Sequence, residues 1–410
     1  MARVEESDAK HYHFLQWALS NGIQINGVAP FRFPGRGMGI IATRTIEKLK
    51  ELHVMKANEI MIAVPVSTML TIDCVPREFV DRFPHEASVH GILAAFLTHG
   101  DASLLDQWAT WRKTWPSREH FQESLPVLWP ESTGSYDEGY INLPPSATGQ
   151  WNLFSNTPCD FTVQDTYQKV LVQQQKRLHD AWKHVLSVFP TTDWSLFSYH
   201  WLILNTRSFY YVSPGKEPPD DWNDAIGLVP FGDYLNHADD AGDEVLMSYG
   251  SHPNDYLFVE YGFFLDQNES DAVYLDDVVF QDLSVDDKEA LRIHGYYGHY
   301  EINSSGLSLG VSIVASLKSM KREDWEKYVL DLPSSGPISE EATEWIRKWV
   351  KTYLEESLLA IKGLEGKTCV KGVVGSLEDL SPALNQKVAT LLRRWIQIRE
   401  ICKKALNTLA

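Results

Sequence analysis

Apolar side chains recur at helical spacing in three parts of the chain. Residues 8–20 carry an apolar stripe that ends at an Asn-Gly pair, which is typical of a short amphipathic helix. Residues 167–189 repeat apolar positions every three or four residues until Pro190, and Asp193 then stands where a helix cap is expected. Residues 384–409 keep one face apolar. The pattern therefore predicts helices at the start, in the middle and at the end of the chain.

Short β-rich segments separate these helices. Two apolar runs, Ile40–Ala42 and Ile60–Val64, predict strands, and short strands are expected again up to about residue 265. The order of elements predicts an α+β fold, in which a β-rich domain is split by a helical insertion and followed by an all-α C-terminal domain. The expected boundaries are 1–82 for the first β-rich part with its N-terminal helix, 83–200 for the insertion, 201–266 for the second β-rich part, and 267–410 for the helical domain.

Composition narrows the classes of protein. Of the 410 residues, 44% are hydrophobic and 12% aromatic, which allows a large core and excludes global disorder. The formal net charge of −18 argues against general nucleic-acid binding, because a basic patch supplies most of that affinity. The charge fits a basic protein partner or simply a soluble surface, and composition leaves both open. No apolar run approaches the roughly 20 residues of a membrane span, so we expect no membrane association.

The cysteines indicate the compartment. Cys74, Cys159, Cys369 and Cys402 lie far apart, without a Cys-x-x-Cys pair. This spacing predicts neither a zinc cluster nor a disulfide framework, and it is typical of a reducing compartment. The first residues also lack the apolar core of a signal peptide. We therefore expect an intracellular protein, located in the cytoplasm, the nucleus or both.

The segment PGRGMGIIA, residues 34–42, is rich in glycine. A dinucleotide-binding fingerprint requires a third glycine where Ile40 stands, and a strand where PFRFP precedes the turn, so that interpretation fails. The segment is either a flexible turn or a turn whose backbone approaches a ligand closely, because glycine has no Cβ in the way.

Two polar motifs follow the helical insertion. Arg207, in NTRSFYY, lies at an expected helix end, where an arginine contacts carbonyl groups or solvent, or binds a ligand carboxylate through two hydrogen bonds. Asn236-His237 is either a turn with a satisfied histidine or part of a binding site. Metal ligation would need partners, and the nearby pair His11 and His13 does not share one helix face. The residues alone leave these alternatives open.

The segment DEVLMSYGSHPNDYLFVEYGFF, residues 243–264, contains Tyr-Gly pairs at positions 249 and 261. Aromatic-glycine pairs are common at strand ends. Two such pairs around a helical turn also fit a pocket wall made of aromatic rings. The pairs alone do not decide between these interpretations.

The order of the motifs is more specific than any one of them. A GxGxG turn, a helical insertion ending in NTRSF, and then PFGDYLNH, DEVLMSYG and EYGF follow one another. This order resembles the SET-domain methyltransferases, in the branch typified by the Rubisco large-subunit methyltransferase. That branch combines a split SET domain with a C-terminal helical substrate-binding domain, and the early segment FLQWALSNG and the helical tail resemble it too. The resemblance covers nearly the whole chain.

The resemblance implies the cosubstrate, the acceptor and the site residues. S-adenosyl-L-methionine would be the methyl donor, and a lysine of a non-histone protein the acceptor. Tyr249 matches the catalytic tyrosine. The positions that match the donor site are Arg36, Gly37 and Met38 in the glycine turn, Arg207 at the donor carboxylate, and Asn236 with His237 at a knot-like crossing. The positions that match the wall of the acceptor-lysine channel are Asp233, Tyr261 and Phe263.

The chemistry suits these roles. Methyl transfer is an in-line displacement, so alignment of the reacting groups provides most of the rate enhancement. A tyrosine hydroxyl can hold the polarised methyl through CH···O contacts, and aromatic walls favour cationic head groups. The amine would lose its proton to water, since no general base is evident. We expect no metal, because the chain lacks the cysteine-rich tail of histone-directed SET enzymes. We also expect a monomer that binds a basic segment of its protein substrate.

One departure from the family concerns the segment between His237 and Tyr249. In the family a β-hairpin separates the Asn-His pair from the turn before the catalytic tyrosine, whereas here ADDA runs directly into GDEV. We predict that a hairpin is missing between Ala241 and Gly242, and that this loss impairs activity. The eleven intervening residues can span roughly 35 Å when extended, so the tyrosine can still reach the site.

Three functions follow from these observations. The leading hypothesis is a protein-lysine N-methyltransferase. The first alternative is a protein-histidine methyltransferase, because relatives in this branch can use imidazole as the acceptor. The second is a catalytically impaired SET-like module that binds proteins through its helical domain, which the missing hairpin favours.

Overall fold

A computed structural model describes the chain in ten stretches, which are residues 2–33, 37–43, 60–129, 143–145, 169–237, 244–331, 338–365, 369–370, 373–374 and 382–409. The chain divides into two compact units, each made from two separate segments. The first unit is Met1–Phe121 with Gln175–Gly250, and the second is Gln122–Gln174 with Ser251–Ala410. The charged segment EKLKELHVMK, residues 47–56, and most of residues 130–160, a stretch rich in Pro, Gly, Ser and Thr that is typical of a loop, lie outside the described residues.

The helices predicted in the first half are confirmed. The helix expected over residues 8–20 is α1, and the Asp193 carboxylate caps α8 by accepting a hydrogen bond from the backbone N–H of Leu196 at 2.8 Å. The described helices up to Arg207 are α1 (Ala2–Ser20), α2 (Arg77–Val80), α3 (Val89–His99), α4 (Ala102–Leu105), α5 (Ala109–Arg112), α6 (Arg118–Ser124), α7 (Val170–Val188) and α8 (Trp194–Arg207).

The strands of the first unit form small antiparallel sheets. Strand β1 (Gln24–Ile25) pairs with β4 (Ile62–Ala63). A second sheet has the order β2 (Val28–Phe33), β3 (Gly37–Ala42) and β8 (Glu244–Val245), and a third has the order β5 (Leu70–Thr71), β7 (Ile226–Leu228) and β6 (Ser208–Tyr210). Both predicted strands are present, although β4 is shorter than the apolar run that predicted it. The second sheet carries the glycine turn.

An aromatic cluster supports the region where the polar motifs meet. Phe14 of α1 packs against Trp111, Phe231 and Tyr234, with ring centroids 5.5 to 6.5 Å apart. Phe231 is fully buried and has a φ of 70°, a left-handed conformation that is unusual for a bulky residue. The tight packing holds this strained turn immediately before the GDYLNH segment, so that segment starts from a fixed position.

The second unit is mainly helical, as expected. Its described helices are α9 (Asn254–Tyr261), α10 (Asp276–Asp282), α11 (Val285–Ile293), α12 (Leu309–Ser319), α13 (Arg322–Leu330), α14 (Glu340–Glu365) and α15 (Pro382–Thr408). The long helices α14 and α15 bury one apolar face each, through residues such as Trp349 and Trp395. The amphipathic spacing of α15 is the one that the sequence predicted over residues 384–409.

The C-terminal region also contains strands that the sequence analysis did not expect. Strands β11 (Gly306–Leu307), β10 (Glu301–Asn303) and β9 (Ala272–Tyr274) form an antiparallel sheet in that order. A short pair, β12 (Cys369–Val370) and β13 (Val373–Val374), follows α14. These strands are only two or three residues long, too short to show an alternating pattern. The α+β class is confirmed, with a helical C-terminal region that carries this small sheet. No helix among the described residues is long and apolar enough to cross a membrane.

Candidate active site

Strand β3 provides the base of the site. Its first residues, Gly37 and Met38, belong to the predicted donor-binding turn, whereas Arg36 lies outside the described residues. Gly37 has a φ of 83°, which glycine adopts without strain. Residue Ile41 of β3 pairs with Glu244 of β8, so the chain after the Asn-His motif is hydrogen-bonded to the glycine turn.

Asn236 lies directly over this strand. Its side-chain amide donates to the carbonyl of Met38 at 3.1 Å and to the Oε1 atom of Glu244 at 2.7 Å. A Cβ placed at Gly39 would lie 2.7 Å from the Nδ2 atom of Asn236 and 2.5 Å from Oε1 of Glu244, so a glycine is what lets them approach. Both amide hydrogens of Asn236 are therefore used. Its Oδ1 atom has no partner among the described residues and can only accept a hydrogen bond.

Tyr249 is attached to the segment Leu235–His237 by both its backbone and its side chain. Its hydroxyl donates to the carbonyl of Leu235 at 2.6 Å, and its backbone N–H donates to Nδ1 of His237 at 3.0 Å. The two rings stack with centroids 5.1 Å apart. The same Nδ1 atom also lies 3.3 Å from the carbonyl oxygen of Met247. The predicted crossing thus brings Asn236, His237 and Tyr249 together.

The hydroxyl of Tyr249 is not a base at neutral pH. Burial raises its pKa to about 12, a change that Arg207 opposes and that Asp233 and Glu244 reinforce. The phenol therefore keeps its proton, and that proton is directed at Leu235. Toward any ligand the Tyr249 oxygen acts as a hydrogen-bond acceptor.

Arg207 is held by the backbone and side chain of Asp233. Its Nη2 donates to the carbonyl of Asp233 at 2.6 Å, and its Nε contacts the carboxylate oxygen Oδ2 at 3.2 Å. The indole N–H of Trp111 donates to the same oxygen at 3.0 Å. The other carboxylate oxygen, Oδ1, is buried and has no partner among the described residues. Burial raises the pKa of Asp233, although Arg207 and Trp111 act in the opposite direction.

Tyr261 and Phe263 lie in the second unit, at the end of α9. Their ring centroids are 6.3 Å apart, on either side of Gly262, which ends the helix with a left-handed φ of 82°. This is a common helix ending, in which glycine avoids the steric cost of a Cβ. Their predicted place in an acceptor channel stays a prediction.

Three unused hydrogen-bonding groups on Asp233, Asn236 and Arg207 indicate the kind of ligand that the site would fit. Oδ1 of Asp233 and Oδ1 of Asn236 are acceptors, and Nη1 of Arg207 has no hydrogen-bond acceptor among the described residues. A ligand with an N–H-bearing group and a carboxylate would satisfy Asn236 and Arg207. S-adenosylmethionine has these two groups, so the residues present fit the donor that the resemblance implies, while Oδ1 of Asp233 can accept from a second, cationic ligand.

Three contributors were not among the predicted site residues. They are the carbonyl of Leu235, the carboxylate of Glu244 and the indole of Trp111, which orient Tyr249, Asn236 and Asp233 respectively. Leu235 and Glu244 lie inside quoted motifs, so their position could have suggested a role. Trp111 lies 122 positions before Asp233, and no local signal marks it.

The predicted hairpin deletion between Ala241 and Gly242 falls on residues 238–243, which are outside the described part of the chain. Both flanks are described. His237 contacts Tyr249, and Glu244 pairs with β3. The deletion and its effect on activity stay predictions.

The chain is similar to known proteins in sequence and in fold. No protein-family model matches the chain. The chain is 25% identical over 289 residues to ribosomal lysine N-methyltransferase set11 from Schizosaccharomyces pombe, covering 63% of this chain and 72% of that protein. It is 22% identical over 452 residues to SET domain-containing protein 4 from Homo sapiens, covering 99% and 93% respectively.

A solved structure extends the agreement to the fold. The crystal structure of the SET domain of LSMT bound to MeLysine and AdoHcy superposes with a TM-score of 0.52 at 16% identity, covering 98% of this chain and 93% of that chain. The α+β architecture is therefore that of a SET domain with a helical C-terminal region. The predicted resemblance to the SET-domain protein methyltransferases, in the branch of the Rubisco large-subunit methyltransferase, is confirmed.

Proposed function

We propose that this chain is an S-adenosylmethionine-dependent protein-lysine N-methyltransferase that acts on a non-histone protein. The observation that carries the proposal is the crossing of two chain segments, in which Tyr249 is hydrogen-bonded to Leu235 and His237 beside Asn236. Beside it, Oδ1 of Asp233 would accept a hydrogen bond from a cationic ligand. One relative is a ribosomal lysine N-methyltransferase, and the solved SET-domain structure is bound to methyllysine, both of which support lysine as the acceptor.

The donor site would consist of the glycine turn and two polar side chains. When bound, S-adenosylmethionine supplies a methyl group on a sulfonium. Arg207 would bind the donor carboxylate through Nη1, since its other nitrogens are already directed at Asp233. Asn236 would accept a hydrogen bond through Oδ1, and Gly37 and Met38 would supply backbone contacts.

Tyr249 would align the methyl group rather than remove a proton. Its raised pKa keeps the phenol protonated, and the hydrogen bond to Leu235 leaves the oxygen to accept CH···O contacts. The lysine would lose its proton to water before attack. Asp233 would attract the cationic head group through Oδ1, while Tyr261 and Phe263 would provide the aromatic wall of the acceptor channel.

The test is methyl transfer to intact ribosomes and to other protein fractions, read by mass spectrometry. We expect methyllysine, and we expect Tyr249→Phe to lower turnover about 100-fold, equivalent to ~2.7 kcal/mol of transition-state stabilisation. Tyr211→Phe is the matched control, because it removes a hydroxyl that donates to the Asp73 side chain, away from the residues assigned to methyl transfer.

Three outcomes would contradict the proposal. Methylhistidine in the product would replace lysine by imidazole as the acceptor. Equal turnover of Tyr249→Phe and the unchanged chain would remove the role of the hydroxyl. Absence of donor binding in a calorimetric titration would leave only a protein-binding module.

A further inference from the structure

A cleft in the first unit is lined by none of the residues assigned to methyl transfer. It has a volume of about 270 Å³ and lies between α5 and α8. One water molecule needs only roughly 10–15 Å³ of such space, so the cleft can hold a small polyatomic ligand. Its lining residues are Ala109, Arg112, Lys113, Trp115, Tyr199 and His200.

Arg112 brings a positive charge to this cleft. It is half-buried, yet within the described part of the chain it has no carboxylate at ion-pair distance and no hydrogen bond. Burial lowers the pKa of its guanidinium, and Tyr199 and Asp106 only partly oppose this change. Lys113 adds an exposed ammonium at the rim. An unpaired and partly desolvated guanidinium is unfavourable, and an anionic ligand would relieve it.

Trp115 supplies an independent indication. Its indole N–H is buried and lacks an acceptor in the part of the chain that the structure describes, while the whole residue is only 5% exposed. An indole nitrogen can only donate, so the missing partner must be an acceptor atom. Buried N–H groups without an acceptor are rare, and they indicate a ligand or an ordered water.

The other two polar walls carry no positive charge. The hydroxyl of Tyr199 donates to the carbonyl of Pro116 at 3.0 Å. The hydroxyl of Thr98 donates to Ala94, so its oxygen accepts from Nδ1 of His200. Burial, together with the charge of Arg112, lowers the pKa of His200 to about 3, so the ring is neutral at pH 7. Attraction for an anion therefore comes from Arg112 and Lys113.

We propose that this cleft binds a small oxyanion of the phosphate class, held by the Arg112 guanidinium and the Trp115 indole N–H. A planar guanidinium and an N–H donor match oxygen acceptors on a tetrahedral anion. The formal net charge of the chain is −18, so general attraction of the protein for anions does not explain such a site. The ligand is either free phosphate or a phosphate monoester.

The proposal is tested by calorimetric titration of the full chain with inorganic phosphate and with glycerol 2-phosphate, against chloride at equal ionic strength. We expect saturable binding of one or both phosphates and none of chloride. Tighter binding of the monoester identifies the source as an esterified phosphate, and tighter binding of the inorganic ion identifies it as the free anion. Both results support the site.

Variants locate the binding. We expect Arg112→Gln to weaken binding about tenfold or more, and Trp115→Phe, which keeps an aromatic ring, about fivefold. Arg77→Gln is the control, because it removes the same charge from a side chain that is 84% exposed on α2. We expect its affinity to stay within about twofold of the unchanged chain.

Lys113→Gln is a second variant that should not disturb folding, because this side chain is exposed. We expect it to weaken phosphate binding about threefold while the melting temperature is unchanged. Absence of phosphate binding by the unchanged chain would overturn the proposal. Equal phosphate affinity of the unchanged chain, Arg112→Gln and Trp115→Phe would overturn it as well.

Discussion

Two buried arginine–aspartate clusters, one in each unit, differ in how completely they are satisfied. In the second unit, Arg394 is fully buried and donates to Asp255 at 2.6 Å and to both oxygens of Asp271 at 2.6 and 3.0 Å. In the first unit, the Arg207 side chain is 19% exposed, and Asp233 keeps one buried oxygen without a partner in the described residues.

The difference indicates different roles for the same pair of residue types. Burial opposes the charge of Arg394, but Asp255 and Asp271 outweigh it and raise its pKa. Asn254 and Gln397 complete that network, so it has little capacity left for a ligand. The first cluster keeps both a donor and an acceptor. A closed cluster fixes the packing of helices, whereas an open one can bind.

The largest effect is expected from breaking the closed cluster, which is Arg394 with Asp255 and Asp271. Arg394→Ala leaves two buried carboxylates without their cation, and we expect the free energy of unfolding to fall by about 3–5 kcal/mol. Urea denaturation would measure this change. Arg393→Ala is the matched control. Arg393 is adjacent to Arg394 in the sequence, but its side chain is 56% exposed and forms an ion pair with the exposed Asp266. A similar loss in both variants would refute the structural role of Arg394.

The second prediction tests the open cluster, which is Arg207 with Asp233. We expect Arg207→Ala to weaken binding of S-adenosylmethionine by about 1.5–3 kcal/mol, the usual range for a charged hydrogen bond. Calorimetry would measure the affinity. The same substitution removes the cation beside Asp233, so it also lowers stability, and donor binding should be measured well below the melting temperature. Unchanged affinity would disprove the contact with the carboxylate.

The third prediction concerns the pH dependence of the stability of the first unit. Burial lowers the pKa of His90 and of His200 to about 3 from 6.5, so protonation favours the unfolded first unit. Their contribution to stability is complete above about pH 6.5 and is lost as the pH falls toward 3. At pH 5 we expect a loss of about 2 kcal/mol for each histidine.

Urea denaturation at pH 7 and pH 5 would measure the pH effect. We expect His90→Gln to reduce the pH dependence by about half, since one of two similar contributions is removed. The exposed His13 offers the control, and His13→Gln should leave the dependence unchanged. Equal pH dependence in all three proteins would show that these buried histidines do not titrate as expected.

The smallest effect on stability concerns the predicted deletion. Inserting a family-type hairpin between Ala241 and Gly242 should raise turnover, with an increase of only about 1 kcal/mol in the free energy of unfolding from the added backbone hydrogen bonds. An insert of equal length made of glycine and serine is the control. If the natural chain is already as active as the hairpin variant, the hairpin is dispensable.

Local features of the fold could be predicted from the sequence. The Asp193 cap, the end of α8 at Arg207 and the amphipathic faces of α14 and α15 depend on neighbouring residues, so a pattern of a few positions contains them. The short strands β9 and β10 could not be predicted, because strands of three residues gain their stability from pairing with distant partners.

The site was predictable only as an order of motifs. Asn236 contacts Met38, 198 positions away, and Trp111 contacts Asp233, 122 positions away. No local spacing contains such contacts, and the family resemblance alone connected the first pair. The pairing of Arg207 with Asp233 was not foreseen, because the two had been assigned to different ligands. Charge complementarity in three dimensions joins them.

The two described glycines of the turn make different demands on variation at their positions. A Cβ at Gly37 would meet nothing within 4 Å, so its requirement is conformational, and asparagine or aspartate can partly meet it. A Cβ at Gly39 would instead displace the side-chain ends of Asn236 and Glu244. In a saturation library scored for cellular abundance and for methylation, the variant with alanine at position 39 should therefore be abundant but should lack methylation activity. The variant with asparagine at position 37 should keep both its abundance and its methylation activity.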